Sequence, residues 1–142
     1  MQNISLLIVD DHTLILELVA QKLESNGGFD VKISSSFDDT RKLLRDKNKY
    51  DIVMLDIALS HLLTLQDVKD VIKLNTGGKV VIFSGTVKDV FVQNCLDIGV
   101  SGFIPKTFSI NAVSSALRFI ATGQKFVPAE FSKTCRDNAG IE

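Results

Sequence analysis

The feature that most restricts this chain is a regular alternation. Short apolar runs without polar interruption take turns with segments whose apolar residues recur at helical spacing. The first run, Ile4 to Val9, is apolar apart from Ser5, and a continuous apolar run marks a strand covered on both faces, as in a parallel sheet. Further runs follow at Asp30 to Ser34, Ile52 to Leu55, Val80 to Phe83 and Gly102 to Ile104. The second is shorter and more alternating, as expected of an edge strand. Between and after them, helices are expected at about Thr13 to Glu24, Asp38 to Asp46, Gln66 to Asn75, Lys88 to Ile98 and Ile110 to Thr122. Three core stripes are expected: Leu14, Ile15, Leu18, Val19 and Leu23 on the first helix; Val90, Phe91, Cys95 and Ile98 on the fourth; Ala112, Val113, Ala116, Leu117 and Ile120 on the fifth. Strict alternation predicts an α/β fold, an open five-stranded parallel sheet doubly wound with helices on both faces. Ligands of such sheets bind beyond the carboxyl ends of the strands.

The polar residues at those ends are therefore the informative ones. The first strand ends in Asp10-Asp11, the third in Asp56, the fourth in Ser84, and the fifth runs through Pro105 into Lys106. Converging carboxylates raise one another's pKa values unless a cation intervenes. An oxygen-rich, open site suits Mg2+ with retained waters. Three carboxylates, one divalent cation and one lysine sum to zero charge, which leaves room for a phosphoryl group. A carboxylate can attack phosphorus and form an aspartyl phosphate, and phosphoryl transfer asks mainly for positioning and charge neutralisation.

Each feature alone has an ordinary reading. Asp11 could cap the first helix, Asp56 could be a loop acid or the cap of the third helix, and Ser84 before Gly85 is common turn chemistry. Lys106 alone reads as a solvated charge, Phe103 as core, and His12 as a first-turn helix residue rather than a catalytic one. Their conjunction, each at a strand end and in order, points to a site. His61 falls in a loop without a nameable partner. Cys95 lies on an apolar stripe and Cys135 in a polar tail, so a buried and an exposed thiol are expected rather than a disulfide or a metal site.

This pattern resembles the receiver domains of two-component response regulators, from Ile4 to Pro128. Asp10-Asp11-His12, the run Gly102 to Lys106 and the run Gly123 to Pro128 look like the NarL/FixJ (LuxR-type) subgroup. The resemblance implies a flavodoxin-like strand order 2-1-3-4-5. It also implies a histidine kinase as partner and phosphorylation on Asp56, with slow loss of the phosphoryl group and no turnover catalysis. Asp10 or Asp11, Asp56 and the backbone carbonyl of Ala58 would hold Mg2+. Lys106 would pair with Asp56 and then the phosphate, Ser84 would hydrogen-bond the phosphate, and Phe103 would be the switch aromatic. Either the face of the fourth helix, fifth strand and fifth helix, or the first and fifth helices, would form a homodimer or release an output domain. Most receivers carry a proline after the site lysine; Thr107 stands there, with Pro105 before the lysine, and the isomer of the Ile104–Pro105 bond stays open. The loop after Asp56 departs from the family pattern at Ser60 and Thr64. With Leu62, Leu63 and Leu65 it is apolar for an exposed loop, which suggests a contact surface.

The expected organisation is a receiver domain over 1–125 and a linker or tail over 126–142. The tail is expected to lead towards a missing output domain, through which alone DNA would be bound, rather than to end a stand-alone receiver. Hydrophobic residues make up 45% of the 142-residue chain, charged residues 23%, and the net charge is −1, which gives no electrostatic case for nucleic acid. No apolar run approaches the roughly 18 residues of a membrane span, and the start lacks a signal-peptide pattern, so a cytoplasmic protein with no membrane contact is expected. Two other readings stay open. One is a degenerate receiver that binds partners without phosphorylation. The other is a metal-dependent phosphatase, against which Ala58 stands where a second acid would be needed. A flavin binder of this fold is disfavoured because Asp10 and Asp11 would repel a phosphate.

Overall fold

A computed structural model describes residues 3–46, 49–56, 63–85 and 89–128. The elements in chain order are β1 Ile4–Val9, α1 Thr13–Ser25, β2 Phe29–Ser34, α2 Phe37–Arg45, β3 Ile52–Leu55, α3 Leu65–Leu74, β4 Lys79–Ser84, α4 Asp89–Asp97, β5 Gly102–Pro105 and α5 Ile110–Ala121. All four strand pairings are parallel, and the order across the sheet is β2-β1-β3-β4-β5. This is the expected doubly wound arrangement. Boundaries differ by a residue or so, and the cause is visible at α2 and α3. Ser36 and Thr64 accept hydrogen bonds from the amides of Asp39 and Asp67 and so set where each helix begins. Among the described residues no peptide bond is cis.

Successive strand residues point to opposite faces, and the core divides accordingly. Leu7, Val9, Val53, Leu55, Val80, Ile82 and Phe103 pack with α2, α3 and α4 through Phe37, Leu44, Val68, Val71, Val92 and Cys95. Leu6, Ile8, Ile52, Met54, Val81, Phe83 and Ile104 pack on the other face with α1 and α5 through Leu16, Leu23, Val113, Leu117 and Ile120. Each fully buried aliphatic contributes about 1.5–3 kcal/mol. A sheet covered on both faces this way holds the loops at its strand ends in fixed places.

The expected stripe on α1 is corrected. Leu16, Ala20 and Leu23 face the sheet and Val19 packs at its margin, whereas Leu14, Ile15 and Leu18 are exposed at 78%, 52% and 58%. The helix is apolar on more than one side, and the side carrying the small Ala20 lies against the strands. On α4, Val92 and Cys95 are buried and Phe91 and Ile98 partly so, but Val90 is exposed. The α5 stripe is as expected, with Ala112 at its margin. Leu63, in the loop before α3, is buried and Leu65, the first residue of α3, packs partly buried against the core, so neither forms an exposed apolar loop surface. Ala58, Ser60, His61, Leu62 and Cys135 lie outside the described residues.

The free edge of β5 is covered by the chain leaving α5. The Phe126 amide donates to the Ser101 carbonyl at 3.0 Å, and the Phe103 amide donates to the Phe126 carbonyl at 2.9 Å. The approach requires a glycine, because a Cβ on Gly102 would stand 2.5 Å from the Phe126 carbonyl oxygen.

Candidate functional site

The parallel ladder continues past the strands and places the site. The Asp10 amide donates to Ser34 at 3.1 Å, the Asp56 amide to Val9 at 2.9 Å, and the Lys106 amide to Ser84 at 3.1 Å. Each residue just beyond its strand is thereby held against the end of the neighbouring strand. Asp10, Asp56 and Lys106 stand at one edge because the register puts them there.

Their side chains meet. Lys106 Nζ lies 2.7 Å from Asp10 Oδ2 and 3.0 Å from Asp56 Oδ2, and donates a hydrogen bond to the latter. Asp10 and Asp56 are buried, at 0% and 1% exposure, while the lysine side chain retains 24%. Two buried carboxylates sharing one ammonium is a costly arrangement unless each charge stays compensated. Burial pushes the Asp10 carboxyl up, but hydrogen bonds from Lys106 and His12 outweigh it and hold the acid below the usual carboxylate range. Burial likewise works against the Lys106 charge, and the paired Asp10 and Asp56 overcome it, so the ammonium titrates above its ordinary value.

Asp11 and His12 complete the cluster. The His12 amide donates to Asp10 Oδ1 at 3.0 Å, and its ring Nδ1 lies 2.8 Å from the same oxygen and 3.3 Å from Asp11 Oδ1. The hydrogen bond to Asp10 raises the imidazole's pKa. Sequence reasoning placed His12 in the first turn of α1 and missed this role. The residue is the N-cap, makes no side-chain cap bond, and turns its ring to the acids instead. The available signal was its adjacency to two acids at a strand end. The N-cap position is likewise not Asp11's.

One ligand atom from each of Asp10, Asp11, His12 and Asp56 can be chosen so that all lie within 4.8 Å of one another. Asp11 Oδ1 is shielded from solvent and takes no hydrogen bond among the described residues. Three carboxylates around one lysine leave a surplus of two negative charges, which favours a cation at that place. An oxygen-dominated donor set open on one side fits Mg2+.

Ser84 ends β4 beside this cluster, buried, with its carbonyl on the Lys106 amide. Phe103 lies deeper, 2% exposed, beside Ile82, Val92, Cys95 and Val100. The structure thus gathers Asp10, Asp11, Asp56 and Lys106 at one point, sets Ser84 at the next strand end, and keeps Phe103 in the core under α4. Among the described residues no helix is long and apolar enough to cross a membrane.

Comparison with known proteins agrees with this geometry. The family model described as the response regulator receiver domain matches residues 6–118. The transcriptional regulatory protein DegU of Brevibacillus brevis is 25% identical over 125 residues, 88% of this chain and 53% of DegU. The virulence-factor transcription regulator BvgA of Bordetella pertussis is 27% identical over 135 residues, 94% of this chain and 64% of BvgA. The chain therefore spans between about half and two thirds of the length of these relatives, which are signalling proteins of the NarL/LuxR type. Among solved structures, a LuxR-family two-component response regulator from Aurantimonas sp. SI85-9A1 superposes with a TM-score of 0.84 at 18% identity, covering 99% of this chain and 100% of that one. A LuxR-family DNA-binding response regulator from Silicibacter pomeroyi gives 0.78 at 26% identity, covering 89% and 98%. A match over most of its length, on the fold and acid cluster described above, makes this chain a member of the response-regulator receiver family.

Proposed function

We propose that the chain is a cytoplasmic phosphoacceptor switch, phosphorylated on Asp56 by a histidine kinase. The observation that carries this reading is the shared ammonium. Asp56 is a buried carboxylate that takes a hydrogen bond from Lys106, whose ammonium is anchored in turn by Asp10. An Asp56 oxygen attacks the phosphorus of a phosphohistidine; the P–N bond breaks, and its electron pair leaves with the imidazole, which takes a proton. Lys106 is placed to follow the charge from the carboxylate onto the phosphoryl oxygens. Asp10, Asp11 and Asp56 would hold Mg2+, with the Ala58 carbonyl as a further ligand. Bound there, the ion supplies charge neutralisation of the transferring group.

The phosphoryl group adds roughly −1.5 to −2 charge near neutral pH. Ser84 would hydrogen-bond it, and Phe103 would follow the shift of the loop after β4, remodelling the face made by α4, β5 and α5. The output would be dimerisation or the release of a DNA-binding domain beyond residue 125, as part of transcription regulation. The exposed Leu14, Ile15 and Leu18 of α1 and Phe119 of α5 support a homodimer through those two helices. They cover the same face of the sheet and are joined where Arg118 donates to the Gly27 carbonyl at 2.8 Å. Slow hydrolysis would reset the switch.

The test is incubation with acetyl phosphate and Mg2+ followed by intact mass. One added phosphoryl group is expected on the wild type and none on Asp56→Asn. Equal labelling of both, or none on either, overturns the reading. Partner binding that Asp56→Asn leaves untouched would favour the degenerate, phosphorylation-independent module instead.

A further inference from the structure

The chain leaving α5 is bound to two parts of the switch at once. Its Phe126 amide and carbonyl are taken by Ser101 and by the Phe103 amide, the backbone of the residue assigned above as the switch aromatic. Its ring meets the Phe108 ring edge-on, with centroids 6.0 Å apart at 78°. Phe108 closes the turn that carries the site lysine, donating its amide to the Pro105 carbonyl at 3.1 Å. Within that turn the Lys106 amide is held by Ser84, and the lysine side chain by Asp10 and Asp56. Gly102 lets the strap lie this close, since any Cβ there would strike the Phe126 carbonyl.

We infer that Phe126 is a positioning residue, the joint through which the phosphorylation state of Asp56 is passed to the chain that follows the receiver. The inference rests on the function proposed above and deepens it. A displacement of the Phe103 backbone stretches its bond to the Phe126 carbonyl, and a displacement of the turn around Lys106 moves the Phe108 ring against the Phe126 ring. The segment at 124–128 thus has one arrangement matched to each state of the site. Two directions of influence follow. The phosphorylated state changes how firmly residue 126 is held, and loosening residue 126 changes the affinity of the site by the same factor, because coupling between two sites is reciprocal.

The experiment uses the 142-residue chain with Mg2+ and beryllofluoride, a phosphoryl mimic whose occupancy is read by fluorine NMR. Exchange of the Phe103 and Phe126 amide protons is followed by proton–nitrogen NMR. Beryllofluoride should change the exchange of both by roughly fivefold or more, and Asp56→Asn should abolish the change. Phe126→Pro, which removes the donor to Ser101, should shift beryllofluoride affinity by a comparable factor. Phe126→Leu, which keeps the backbone bonds and loses the ring edge, should shift it less. If beryllofluoride occupies the wild-type site and both amides keep their exchange rates, the coupling is refuted and the phosphoacceptor reading survives. If it fails to occupy the site, both fall. Should Phe126→Pro fail to fold, the wild-type exchange measurement decides alone.

Discussion

Replacing Lys106 by methionine tests the electrostatics of the site most severely, because the ammonium is shared. In the wild type it lies 2.7 Å from Asp10 and 3.0 Å from Asp56, and the two acids are almost wholly removed from solvent. Methionine keeps most of the stem and leaves two carboxylates facing each other. Removing one partner of a buried ion pair costs roughly 3–5 kcal/mol, mostly the penalty of the stranded charge. The lysine is a quarter exposed, so water reaches part of the gap, and about 3 kcal/mol is the expected loss without metal. With a urea slope of roughly 1–3 kcal/mol/M, the unfolding midpoint in EDTA should fall by about 1–3 M. Three companion measurements separate this cause from a packing defect. Adding Asp10→Asn should restore much of the loss, because the repulsion then disappears. Mg2+ should stabilise Lys106→Met more than the wild type, since a cation substitutes for the missing charge. The acid limb should also change. A carboxyl held below its unfolded pKa stabilises the fold above about pH 4 and loses that contribution as pH falls through its folded value, so without Lys106 the contribution of Asp10 shrinks. A loss under about 1 kcal/mol, as for an exposed pair, would refute the reasoning. So would Asp10→Asn adding to the damage.

Other consequences follow from the same geometry. Saturating Mg2+ should raise the stability of the wild type, by about 2.7 kcal/mol at a hundredfold excess over Kd; thermal unfolding across a Mg2+ titration should show the gain shrinking in Asp11→Asn, whose carboxylate belongs to the cluster that would hold the ion. Cys95 is 1% exposed, and burial pushes its thiol from 9.0 to about 11. The unfolded chain therefore loses this proton first, and stability should decline between those values, by at most roughly 2.7 kcal/mol, relative to Cys95→Val in alkaline urea titrations. Gly102→Ala should cost at least 1–3 kcal/mol in a urea midpoint assay, an overpacking penalty, because its methyl meets the Phe126 carbonyl.

Much of the architecture is legible in the residues because a doubly wound sheet writes a simple code. Ile52 to Leu55 and Val80 to Phe83 have no polar face to offer solvent, so they fit only where helices cover both sides. The side of a helix that packs is harder to read. Leu14, Ile15 and Leu18 and the set Leu16, Ala20 and Leu23 are both apolar, and only the geometry of approach decides between them. An apolar count cannot separate a face that packs on the sheet from one left exposed. The same limit applies to Val90, and in reverse to Leu63 and Leu65, which tuck against the core from the loop before α3 and from its first residue. Within the site, the acids and Lys106 could be found because each sits one step past an apolar run, where ladder register dictates position. His12 escaped because its backbone does one job, entering α1, while its ring does another at Asp10. The closure of β5 by Phe126 left only a weak trace, a glycine in a short strand.

The central claim is that these acids and this lysine form a site for a phosphoryl group on one particular carboxylate. Borohydride trapping of the acyl phosphate, followed by peptide mapping with and without Mg2+, tests it most directly. The account predicts a single reduced residue, at position 56, formed in the presence of Mg2+ and lost in its absence. Reduction at any other acid, or equal trapping in EDTA, would contradict it.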